Sequence, residues 1–129
     1  MIKIDEELWY IGGPMRGYPE YNFPAFYAAE ELLISEGLRV INPARDDEEA
    51  GFDRHKPLEE QGFDMRTTML HDLTRMIGTE DTPGCCGIYL LAGWRRSSGA
   101  QGECAIARWA NMKIRDQVLE DIFNRKETS

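Results

Sequence analysis

Apolar positions fall into short continuous runs separated by wider sets at helical spacing. Leu8 to Gly12 (Leu-Trp-Tyr-Ile-Gly) reads as a short buried strand. Gly12, Gly13, Pro14 and Gly17 then mark a loop. Pro24 suits the first turn of a helix, where its missing N–H costs nothing. Phe26, Ala29, Leu33 and Glu36 repeat at helical spacing, widened by Ala25, Ala28 and Leu32. Gly37 supplies the stop. Arg39 to Asn42 reads as a second strand, ended by Pro43.

The polar, acidic stretch Ala44 to Gly62 is long for a connector and reads as a lid or binding loop. Asp64 is placed to cap a helix over Met65 to Ile77, with Met65, Met69, Leu73 and Met76 as its apolar face. Gly78 to Gly84 is a loop. Cys86 to Leu91 is a nearly continuous apolar strand, the pattern of a parallel sheet covered on both faces. Gly93 to Gly99 is another loop, and Ala100 to Ala110 is helical. Asn111 to Ile114 reads as a last short strand, and Asp116 to Arg125 as a closing helix.

Strands that alternate with helices predict an α/β fold. The expected form is a doubly wound parallel sheet of four to five strands with helices on both faces. In such sheets ligands bind at the carboxyl ends of the strands, where strand order reverses. The loops after Gly12, Asn42 and Leu91 should therefore lie together.

The length, 129 residues, fits a single domain over 1–129. No apolar run approaches the ~20 residues of a membrane helix. The acidic N-terminus has no apolar segment, so no signal peptide is expected. Cys85, Cys86 and Cys104 are an odd set of thiols and point to a reduced, cytoplasmic setting. The net charge of −8 makes a nucleic-acid polymer an unfavourable partner. A small anion remains compatible with it. Eleven of the 15 basic residues are Arg, the better group for phosphate or carboxylate.

Glu103 carries the strongest chemical signal. It shares a helical stripe with Ile106, Ala107 and Ala110, so a carboxylate occupies a core-facing position. Buried carboxylates need a partner or a task. The nearby helix start favours its ionised form. Asp72 falls on or beside the Met65, Met69, Met76 stripe and repeats the anomaly. Two such carboxylates on successive helices suggest a facing pair, and paired carboxylates cleave glycosidic bonds. The bland alternative is a boundary residue in a structural hydrogen bond. Tyr10 in the first strand reads as core, with a hydroxyl that a catalytic carboxylate would satisfy.

Ser98 and Gln101 match a capping box. With Ser97 and Gly99 they also fit a phosphate cradle, since free N–H groups and small residues gather at a helix start. Arg16, Arg95 and Arg96 flank the two candidate phosphate loops, and each also suits a solvated surface. His71 and His55 have no zinc-type spacing, so neither a metal nor another cofactor is expected. No dinucleotide or ATP fingerprint occurs.

These residues together carry a resemblance. Tyr10-Ile-Gly-Gly-Pro-Met-Arg-Gly17 and Tyr21-Asn-Phe-Pro-Ala-Phe26 resemble the opening of the nucleoside 2-deoxyribosyltransferase-like superfamily. Asn42-Pro43, His71-Asp72-Leu73, Gly93-Trp94 and Ser98-Gly99-Ala100 through Glu103 continue it in order. The resemblance implies a Rossmann-like domain whose sites are completed by a second subunit, hence a homodimer or higher homo-oligomer. It implies Glu103 as the nucleophile at C1′, Asp72 as the group handling the proton of the departing base, and Tyr10 as the residue orienting Glu103. It implies Gly13, Met15, Arg16, Gly17, Asn22, Ser97, Ser98 and Gly99 as substrate-binding residues, with Ser97, Gly99, Arg16 and Gly17 around a 5′-phosphate. Ser97 stands where the transferases often carry an Asp, as in the monophosphate hydrolases of the superfamily. The expectation is an N-glycosidase of (deoxy)nucleoside 5′-monophosphates. The alternatives are a base-exchanging deoxyribosyltransferase, a non-catalytic nucleotide-sequestering protein, and an interaction module with an acidic surface.

Overall fold

The computed structural model describes residues 1–128, with side chains described through Arg125. The strands are β1 (Ile4–Gly12), β2 (Arg39–Ile41), β3 (Gly84–Leu90) and β4 (Lys113–Asp116). The helices are α1 (Phe23–Ser35), α2 (Pro43–Glu49), α3 (Met65–Ile77), α4 (Ser98–Trp109) and α5 (Gln117–Thr128). Short 3-10 turns lie at Pro19–Asn22, Leu58–Glu60 and Trp94–Arg96.

All strands run parallel in the order β2-β1-β3-β4. The chain moves outward from β1 to β2, then crosses back over β1 to β3. The switch point is therefore between β1 and β3. Their carboxyl ends are joined where Leu91 N donates to Gly12 O at 2.9 Å. This is the doubly wound α/β arrangement that the alternating runs predict.

Every residue of β3 is buried, as its unbroken apolar run requires. Side chains alternate across β1 and separate two cores. Trp9 and Ile11 pack with Phe23, Phe26 and Leu33 of α1. Tyr10 packs with Ile88 and Leu90 of β3, Met76 of α3, and Cys104 and Ala107 of α4. Helices thus cover both faces. Burial of a side chain such as Phe26 or Leu33 contributes roughly 1.5–3 kcal/mol. Gly87 is required where Trp9 crosses β3, because a Cβ there would meet the indole at 2.5 Å. Gly87→Ala should lower unfolding free energy by about 1–3 kcal/mol, measured by urea denaturation.

Several expectations are corrected. Ala44 to Gly62 is not one long loop. Asn42 leaves the strand and caps α2, its Oδ1 accepting from Ala44 N at 3.0 Å, with Pro43 in the first turn. Later in that segment Phe52 packs edge-on against Tyr21 at 5.1 Å. On α3, Met76 is fully buried, while Met65 and Met69 are 43% and 50% exposed. The expected apolar face holds only in the second half of that helix. Ala28 and Leu32 of α1 face outward, and the buried side takes Phe23 and Glu30 instead. Ala110 lies exposed beyond α4. The last strand lies two residues later than expected, at Lys113–Asp116, and Asp116 also caps the closing helix, its Oδ1 accepting from Val118 N and Leu119 N. No described helix is long and apolar enough to cross a membrane.

Candidate active site

α4 begins beside the switch point and carries Glu103 toward it. The cap of α4 is Ser97, whose Oγ accepts from Ala100 N at 3.2 Å. The capping box expected at Ser98 and Gln101 does not form. Ser98 is already helical, and Gln101 Nε2 instead donates to Arg95 O. Glu103 lies in the second turn, on the side where Cys104 and Ala107 enter the core.

Tyr10 Oη donates to Glu103 Oε2 at 2.7 Å. Gly12 leaves room for the other oxygen. A Cβ there would stand 3.3 Å from Glu103 Oε1 and 3.1 Å from Ile88. The carboxyl group therefore sits over the carboxyl end of β1, between two elements that the core holds fixed. Burial pushes the Glu103 carboxyl up to about 7, and the Tyr10 hydrogen bond opposes that rise. The helix start, expected to favour ionisation, is outweighed by desolvation. Burial and the Glu103 charge hold Tyr10 well above its ordinary value, so the phenol stays a donor.

Asp72 reaches the same region from α3. Burial pushes its carboxyl up to about 8, and the charges of Glu103, Asp47 and Asp46 add to the rise, against Arg75. Two carboxyl groups in one site thus differ in proton affinity, with Asp72 the one that keeps its proton longer. Such a split separates an acid from an anion. Deleting the phenol in Tyr10→Phe should raise the Glu103 pKa by roughly one pH unit, since a hydrogen bond to a charged group contributes about 1.5–3 kcal/mol. Carbon-13 NMR of labelled glutamate measures this. An unmoved titration would show that Tyr10 only fills space.

Asp46 and Asp47 were not singled out by sequence. Arg75 donates to Asp46 from Nε and Nη2 at 3.0 and 3.1 Å, and His71 Nε2 lies 3.6 Å from it. This ties α2 to the turn of α3 that carries Asp72. Burial and Asp46 push Asp47 up to about 6. The readable signal was Asn42-Pro43, a helix start that also ends a strand.

The remaining candidates divide into two groups. Ser98 and Gly99 are exposed at the start of α4, and only Ser97 Oγ comes within 4 Å of a Cβ placed at Gly99. The first N–H groups of a helix have no partner within it, and those of Ser98 and Gly99 lie about one turn before Glu103. Gly13 packs against Leu91, which a Cβ would meet at 2.8 Å. Met15 is half-buried against the α1 core. Asn22 Nδ2 donates to Pro14 O at 2.9 Å and ties the loop after β1 to α1. Gly17 is exposed with φ +81, a left-handed position that favours glycine. Arg16 is exposed, with its guanidinium 5.3 Å from the centre of the Phe63 ring.

Arg95 is engaged elsewhere. It stacks on Trp94 at 4.6 Å and lies 3.5 Å from Asp116, which also accepts from Trp94 Nε1. Arg96 is exposed. His55 lies 3.9 Å from Glu20. The three cysteines are free and buried. Among the described residues, no group of three His, Cys, Asp or Glu is placed to hold a metal ion.

No curated protein and no solved structure matches the chain. One family does, and its match runs over residues 7–116, from β1 through β4. That span takes in Tyr10, Asp72 and Glu103. The chain belongs to the family described as a domain of unknown function, DUF4406.

Proposed function

We propose that the protein is an N-glycosidase acting on (deoxy)nucleoside 5′-monophosphates. The observation that carries this reading is the Tyr10–Glu103 hydrogen bond of 2.7 Å at the switch point, with Asp72 in the same field. The resemblance to the nucleoside 2-deoxyribosyltransferase-like superfamily supplies the substrate class.

In the proposed reaction the ionised Glu103 attacks C1′ through an oxocarbenium-like transition state. The C1′–N bond breaks and its electron pair goes to the base. Asp72 gives its proton to that base as it leaves. A glycosyl ester on Glu103 results. Water then attacks C1′, Asp72 takes the water proton, and Glu103 is released as a carboxylate. Tyr10 holds Glu103 in place and spreads its charge.

The 5′-phosphate is assigned to the start of α4. The first-turn N–H groups of Ser98 and Gly99, the Ser97 hydroxyl and the helix dipole all suit an anion. By the resemblance, Arg16 and Gly17 of the loop after β1 would join this phosphate site. The reading includes a homo-oligomer. Met69 and Leu70, 50% and 69% exposed on the turns leading to Asp72, offer an apolar surface to the second subunit the resemblance implies.

The test is release of free base from a panel of ribo- and deoxyribonucleoside monophosphates. Release is expected from monophosphates and, at least about tenfold more slowly, from the matching nucleosides. Release with no dependence on the phosphate would remove the assignment at α4. No release from any member would remove the glycosidase.

A further inference from the structure

A cleft of about 330 Å³ opens beside the catalytic pair, lined by Asp47, Phe52, Lys56, Gln61, Phe63 and Thr68 among others. Its volume lies at the lower end of the ~300–1,000 Å³ typical of small-molecule sites. Two observations connect it to the carboxylates. Thr68 stands one helical turn before Asp72 on α3, so the two share a face. The Asp47 charge bears on both Asp72 and Tyr10. Phe63 meets Arg16, so the cleft also borders the loop that leaves β1 at Gly12.

The lining is specific in its chemistry. Phe52 and Phe63 are flat and apolar, as a stacked heteroaromatic ring requires. Gln61 is not free to read a ligand. Its Oε1 accepts from Asp53 N, and its Nε2 donates to Asp53 O and Lys56 O. Lys56 is exposed, which keeps its ammonium hydrated. Among the described residues no donor bonds the Asp47 carboxylate. Two more carboxylates line the cleft, but Asp53 accepts from His55 N and Glu60 is exposed to water, so Asp47 is the half-buried carboxylate here with acceptor capacity to spare.

We propose that the cleft receives the nucleobase and that Asp47 selects bases carrying an exocyclic amino group over uracil and thymine. An ionised carboxylate only accepts hydrogen bonds. Cytosine, adenine and guanine present an amino donor. Uracil and thymine flank their single ring N–H with two carbonyl oxygens, which a carboxylate repels. A base held here would lie against the face of α3 that carries Asp72, the group proposed to protonate it. The inference rests on the nucleotide reading of the Glu103–Asp72 site.

The experiment measures binding, apart from turnover. Full-length Glu103→Gln protein is titrated by calorimetry with dCMP, dAMP, dGMP, dUMP and TMP, alone and combined with Asp47→Asn. At least one amino-bearing monophosphate should bind about tenfold or more tightly than dUMP and TMP. Asp47→Asn, whose amide can donate to a carbonyl, should reverse that order. A reversal among ligands cannot come from misfolding. Equal affinities across the panel, or an order unchanged by Asp47→Asn, overturns the inference and leaves base release by the unaltered protein to judge the glycosidase separately. Absence of binding by all five overturns both.

Discussion

Glu103→Gln should abolish base release by at least about 10³-fold and, at pH 8, raise the melting temperature by roughly 5 °C. Both effects have one cause. Glu103 is held beside Gly12, and among the described residues Tyr10 is its hydrogen-bond donor. Its carboxyl is pushed up to about 7 in the folded protein, above the 4.5 of a free glutamate. Below about pH 4 both folded and unfolded chains hold the proton, and burial of the neutral acid has no ionic cost. Between about 4.5 and 7 the unfolded chain releases its proton while the folded chain keeps it, so stability falls as pH rises. Above 7 the whole cost is present, about 1–3 kcal/mol after allowance for partial exposure.

Glutamine is neutral at every pH and keeps an acceptor for Tyr10. It should therefore stabilise at pH 8 and have little effect at pH 4. Thermal melts at the two values measure this. Equal stabilisation at both would mean that burial does not set the proton affinity of Glu103. The nucleophile is thus expected to be a site that function keeps at the expense of stability.

The second large effect concerns Asp72. The proposed mechanism requires Glu103 ionised and Asp72 protonated. The first condition is met above about 7 and the second below about 8. The kcat/KM profile should be bell-shaped with a narrow optimum between those values. Asp72→Asn should lower kcat/KM by about 10²–10⁴-fold and remove the alkaline limb, leaving the acid limb in place. A substrate whose base already carries positive charge, such as a 7-methylguanosine monophosphate, needs no proton from Asp72. The loss on that substrate should be much smaller. A flat profile from pH 6 to 9, or an equal loss on both substrates, would remove Asp72 as the acid.

Much of this site was readable because the core enforces it. The continuous run at Cys86–Leu91 has no polar position, so it must be covered on both faces, and it is. Glu103 broke an apolar stripe that Cys104 and Ala107 anchor in the core. Tyr10 lay in a strand too apolar to leave a hydroxyl unpaired. These signals come from burial, which sequence periodicity reports well.

What was missed depends on tertiary position. α2 has no apolar stripe to report, because Pro43 and Ala44 at its start are its buried residues. Its Asp46 and Asp47 therefore read as solvated loop charge, although they face α3. Met65 and Met69 kept helical spacing without a surface of the chain to pack on. The cap fell on Ser97 rather than Ser98, a one-residue choice between identical side chains that the i+3 Gln did not decide. Arg95 fitted a phosphate loop and a surface position equally well by sequence, and the fold pairs it with Asp116, which lies far along the chain.

The most direct measurement is the mass of the protein caught during turnover. A monophosphate substrate is mixed with the unaltered chain, quenched in acid and digested. A peptide containing Glu103 should carry the added mass of one sugar phosphate, and the Glu103→Gln protein should carry none. Base release with no adduct at any quench time, or an adduct on a different residue, would contradict Glu103 as the nucleophile.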